Sequence, residues 1–161
     1  DPLENSCRRR GKSMAIVFPK FSRNSLPATQ VEPTDSRVMI RLSGLQPTYM
    51  PGENIDFEYR VANVDRGSIV AVECSVCWLT EGKGTEDLGV HFFQRLAGDS
   101  LAAIDWTIAQ KISCPLPISP VSYEGKLLKI SWCVRVRFFL SDGTELMAQQ
   151  PFYLGTVTRE V

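Results

Sequence analysis

From Arg37 onward, apolar and polar residues alternate with a period of two. "RVMIRL" places Val38, Ile40 and Leu42 on one face. "NIDFEYRVA" sends Ile55, Phe57, Tyr59 and Val61 inward, and Asp56, Glu58 and Arg60 outward. "SIVAVECSVCWLT" aligns Val70, Val72, Cys74, Val76 and Trp78; "LGVHFFQRL" aligns Leu88, Val90, Phe92 and Leu96. "AIDWTIAQKI" gives Ile104, Trp106, Ile108 and Ile112. The longest run gives Leu128, Ile130, Trp132, Val134, Val136, Phe138 and Leu140, and "ELMAQQPFYL" closes with Leu146, Ala148, Phe152 and Leu154. Successive side chains of a strand point to opposite faces, so each run predicts a strand with one buried side.

The segments between these runs are rich in Gly, Asp, Ser and Pro: "MPGEN", "VDRGS", "TEGKGTED", "LAGDS", "SPVSYEG" and "LSDGTE". Each of these residue types favours a bend for its own reason. Asp142-Gly143 between two apolar runs is a strong hairpin signal. No segment shows a helical period. Strands with one apolar side hide it most simply by facing two sheets together. The expected fold is therefore an all-β, two-sheet, immunoglobulin-like sandwich of about seven antiparallel strands. Its expected extent is residues 37–157, between a basic flexible tail over 1–36 and a short C-terminal tail over 158–161.

The tail carries Arg8, Arg9, Arg10, Lys12, Lys20 and Arg23 among scattered polar residues. Its apolar stretch, Met14 to Phe18, is shorter than a signal-peptide core, so no export signal is expected; Met14 is a candidate natural start. No run reaches the roughly 18 apolar residues that span a bilayer, so no integral membrane segment is expected. The chain has 161 residues, and its 18 basic and 18 acidic residues cancel. Zero net charge argues against a dedicated nucleic-acid binder. Five cysteines at irregular spacing do not form a secreted disulfide framework and point to a soluble protein of the reducing cytoplasm.

"YMPGENIDFEYRV" and "CPLPISPVSYEGKLLKISWCVRVRFFL" together carry a resemblance. A proline-bearing segment (Pro115, Pro117, Pro120) leads to a corner at Gly125, then to a long strand with Ile130, Trp132 and Val134. With Pro51 to Glu53 before a strand, this resembles the arrestin-like β-sandwich over about residues 37–155. The relatives in view are the arrestin halves, the arrestin-like retromer subunit and bacterial arrestin-like sporulation-control proteins. The resemblance implies a single arrestin-like domain and a binding or scaffolding role. It carries over no phosphate-sensing residue by position.

Residues that suggest chemistry read as structure. Cys74 and Cys77 have Cys-x-x-Cys spacing, but inside a strand they point to opposite faces. Cys114 and Cys133 are expected as buried free thiols. His91 is the only histidine and has no nucleophile elbow near it. "GKS" at Gly11–Ser13 lacks the glycine five residues upstream that a phosphate loop needs. Trp78, Trp106 and Trp132 keep phase with core residues. No catalytic, cofactor or metal site is expected, and the chain does not read as an enzyme.

Two clusters remain as candidate partner contacts. Glu81, Lys83, Glu86 and Asp87 occupy a glycine-rich hairpin loop. Lys129, Arg135 and Arg137 line the polar side of the longest strand. Arg37, Arg41 and Arg60 fall on outer faces of other strands, with Glu58, Asp56 and Glu73 available as cross-strand partners. The expected function is a protein-binding or scaffold module that works through loops and sheet edges. The alternative is a surface for carbohydrate or anionic lipid. Homo-oligomerisation is left open.

Overall fold

The computed structural model describes residues 36–84 and 86–156, together with the backbone of 158–159. The expected tail over 1–36 lies outside the described residues except for Ser36. The strands are β1 (Arg37–Leu42), β2 (Thr48–Tyr49), β3 (Asn54–Ala62), β4 (Ile69–Gly82), β5 (Asp87–Ala97), β6 (Gln110–Pro115), β7 (Tyr123–Glu124), β8 (Leu128–Leu140), β9 (Glu145–Leu154) and β10 (Thr158–Arg159). Seven of these have six residues or more, and they correspond to the seven alternating runs. A single-turn helix, α1 (Asp99–Ala102), follows β5.

Two sheets face each other. The smaller has the order β1-β3-β6 and is antiparallel throughout. The larger is built on β8, with β4 and then β5 on one side and β7 and β9 on the other. The short β2 and β10 add in parallel to β9 and β7. Ile55, Phe57 and Tyr59 of β3 meet Val72, Cys74 and Val76 of β4 and Trp132, Val134, Val136 and Phe138 of β8 in one core. Tyr59 and Trp106 both set their rings edge-on to Phe138, at 6.1 and 5.3 Å. The Asp142-Gly143 hairpin forms as expected. Gly143 takes a positive φ, and Asp142 Oδ1 accepts from the Thr144 amide at 2.8 Å.

The alternation fails at two bulges. The β4 register shifts between Ile69 and Ala71, which turns Val70 outward (48% exposed) and buries Ile69 instead. A second shift between Val76 and Cys77 leaves His91 of β5 without a direct partner. One inserted residue flips every side chain on one flank. Phe92 and Leu96 therefore face the core as expected, while Leu88 and Val90 face out.

The run "AIDWTIAQKI" also departs from expectation. Asp105 Oδ1 accepts from both the backbone and the hydroxyl of Thr107, at 2.9 and 2.6 Å. That local turn competes with strand pairing, so β6 begins only at Gln110. Trp106 still reaches the core from the turn, and Ile108 is left exposed.

Candidate interaction surface

On the outer face of β8, Arg137 is matched by acid. Glu73 of β4 accepts from Arg95 of β5 at 2.5 Å and from Arg137 of β8 at 3.3 Å. Arg137 also donates to Glu145 of β9 at 2.7 Å. Four strands are thereby joined by one alternating chain of charge, and Arg95 and Arg137 both lie over the Phe139 ring. The Arg137 hydrogen bond holds the Glu145 carboxyl below its ordinary range. Its contribution to stability is full above that range and is lost as the pH falls through the lowered pKa. Arg135 faces Gln149; with the amide oxygen turned toward it, its Nε and Nη2 donate at 3.0 and 3.1 Å.

Lys129 stands opposite Glu81 of β4 and Glu124 of β7. Lys129 therefore meets the hairpin loop at one end of the large sheet, while Arg135 and Arg137 lie further along β8. The loop between β4 and β5 carries Lys83 and Glu86 on its exposed tip, and its base is pinned where the Asp87 amide donates to Thr80 Oγ1 at 3.1 Å. Gly82 lies so near the Leu127 carbonyl that an added Cβ would sit 2.3 Å from its oxygen. That close approach fixes the loop against the start of β8.

Among the described residues β5 is an edge strand, paired only with β4. Its outward side presents Leu88, Val90 and Phe93 at 41%, 55% and 56% exposure, opposite Leu79, Cys77 and Ser75. Gly89 packs on the indole of Trp78. His91 Nε2 donates to the Pro115 carbonyl at the end of β6, at 2.6 Å, and its ring meets Trp132 edge-on. One side chain thus ties the edge of the large sheet to the edge of the small one. The sequence pattern did not mark this row as exposed, because its phase depends on the bulge at His91.

The small sheet has its own outer face. A groove of about 490 Å³ is lined by Arg37, Arg41, Arg60, Arg66 and Glu58 together with Trp106 and Thr107. Arg41 pairs with Glu58 at 2.9 Å. Among the described residues no carboxylate forms an ion pair with Arg37 or Arg60, and Arg37 Nε is buried without a hydrogen-bond partner.

Cys74 and Cys77 do split between faces: Cys74 lies in the core, and Cys77 faces out and meets Cys133. Among the described residues no three His, Cys, Asp or Glu side chains converge as a metal site would require. No helix among them is long and apolar enough to cross a membrane.

No family model matches the sequence, and no curated protein matches it either. The architecture does have a match. The sandwich is similar to Spo0M, a sporulation control protein from Bacillus subtilis, with a TM-score of 0.52 and 12% identity. The match covers 75% of this chain and 49% of that one, so this chain spans about half the length of its neighbour. At that identity the arrestin-like fold is shared, and the side-chain chemistry is this chain's own.

Proposed function

We propose that the chain is a non-enzymatic protein-binding or scaffold module, and that β5 captures an extended segment of a partner protein. One observation carries the reading: among the described residues β5 pairs only with β4, and it lines its outward side with Leu88, Val90 and Phe93. An unpaired edge is a template for strand addition, and an adjacent apolar row supplies side-chain selectivity. The hairpin tip with Glu81, Lys83 and Glu86, and Lys129 beside it, flank one end of that edge and would bias the charge of the segment accepted. Arg135 and Arg137 lie further in on the same face. The fold neighbour named for sporulation control is consistent with a regulatory module. The free thiols of Cys74, Cys77, Cys114 and Cys133 favour a reducing compartment such as the cytoplasm.

The test is a double replacement, Val90→Asp with Phe93→Asp. Both side chains are exposed, so the melting temperature is expected to hold. Capture of partners from native lysate is expected to fall by about 30-fold or more, the loss of one interfacial hot spot. Sedimentation of the purified chain separates a second copy of itself from a different partner. Undiminished capture by the variant would place recognition elsewhere.

The arginine groove of the small sheet favours a second reading, an anionic surface. Trp106 and Trp132 are buried and Trp78 packs on the core, so they do not build a sugar platform. Arg37 and Arg60 instead offer guanidinium groups suited to phosphate. Arg37→Glu with Arg60→Glu is expected to cut binding to phosphatidylserine vesicles at least ten-fold at low salt, and wild-type binding should weaken as salt rises. Equal vesicle binding by wild type and variant would remove this reading.

A further inference from the structure

Cys77 and Cys133 are direct partners across the antiparallel β4–β8 ladder. Their sulfurs are 3.5 Å apart, and Cys77 Sγ also lies 3.8 Å from the Cys133 carbonyl oxygen. Directly opposed residues of antiparallel strands have Cα atoms about 4.5–5.5 Å apart, inside the span that a disulfide bridges. Closing the bond therefore asks for side-chain rotation rather than movement of strands. Both residues are almost fully buried, at 1% and 0% exposure. They lie on the outward side of the sheet, and Val90, beside Cys77 on the edge strand, is itself exposed.

We propose that Cys77 and Cys133 form an oxidant-responsive thiol pair that closes to a cross-strand disulfide. The two thiols are chemically unequal. The contact between the two sulfurs, with Arg135 nearby, lowers the Cys77 pKa against the effect of burial. Cys133 is pushed up by the same contact and by burial. When the pair loses a proton the charge falls on Cys77, so its thiolate is the nucleophile and Cys133 retains its proton.

With hydrogen peroxide as oxidant, the Cys77 sulfur attacks one oxygen and the O–O bond breaks. This gives a sulfenic acid, and the departing hydroxide takes up a proton to become water. The Cys133 sulfur then attacks the Cys77 sulfur. The S–O bond breaks, and the second hydroxide takes the Cys133 proton. In sum, two thiols and one peroxide become one disulfide and two waters, with two electrons passing from sulfur to oxygen. Cys74 and Cys114 face the core and serve as internal controls.

The experiment oxidises the folded, reduced full chain with hydrogen peroxide, blocks remaining thiols with N-ethylmaleimide, and maps the peptides. The expected product joins the peptides of Cys77 and Cys133, leaves Cys74 and Cys114 alkylated after unfolding, and raises the melting temperature by about 10 °C. Cys133→Ser and Cys133→Ala should each abolish both the link and the rise. Mapping of the unmutated chain decides the matter even if a variant folds poorly. Free thiols at 77 and 133 after oxidation, a sulfinic acid at 77, or a link between any other pair would each overturn the proposal.

Discussion

Replacing Trp132 by alanine is expected to lower the free energy of unfolding by about 3–5 kcal/mol, the range for deleting a large buried aromatic. Trp132 is fully buried at the middle of the large sheet, opposite Trp78 of β4 and Phe152 of β9. Its ring lies 5.9 Å from Phe152 and 6.2 Å from His91. The indole Nε1 donates to the Pro120 carbonyl at 2.8 Å, so the substitution also strips a partner from the proline segment. Urea unfolding measures the effect. A slope of roughly 1.5 kcal/mol/M turns the loss into a midpoint lower by about 2–3 M. A loss below about 1 kcal/mol would mean that the core closes over the cavity, and that Trp132 is not the keystone its position suggests.

Gly89→Ala is expected to be the most damaging small change on the edge strand. A Cβ at Gly89 would fall 2.1 Å from the Trp78 ring, which is rigid and half-buried. Either the indole leaves its place or β5 lifts from β4, at a cost of about 1–3 kcal/mol. Trp78→Leu in the same chain makes room, so the two changes together should cost less than their sum. A double-mutant cycle in thermal or urea unfolding measures that coupling. Strictly additive costs would show that the two residues do not constrain each other. Because β5 is the proposed capture strand, Gly89→Ala should also weaken partner capture.

Much of this molecule was legible in the sequence, and the exceptions share a cause. β3 and β8 alternate without a break, so Ile55, Phe57, Tyr59, Trp132, Val134, Val136 and Phe138 were placed in the core correctly. Glu73 neutralises part of the basic side of β8, as cross-strand pairing of charges predicts, and Glu58 pairs with Arg41. Val70, Leu88 and Val90 depart from the alternation because a bulge changes phase without changing composition. The meeting of Cys77 with Cys133 was missed for a related reason. Their contact is set by the β4–β8 register, which links positions 56 residues apart, and local periodicity carries no information about that offset. Asp105 misled in the other direction, since its side chain ends a run that alternation alone would continue.

The bulge at His91 bears on what β5, as the proposed capture strand, would recognise. It divides the strand into two straight runs, 87–90 and 92–97, whose outward side chains are out of phase with each other. A long uninterrupted strand would have to kink at the same place to follow both. Each run suits a short linear motif, a handful of residues with loose sequence requirements. Segments of that kind bind weakly, exchange quickly and arise readily in unrelated chains. An edge broken in this way is also poorly suited to stacking copies without end, so the proposed capture of brief clients would not make it the seed of a fibril.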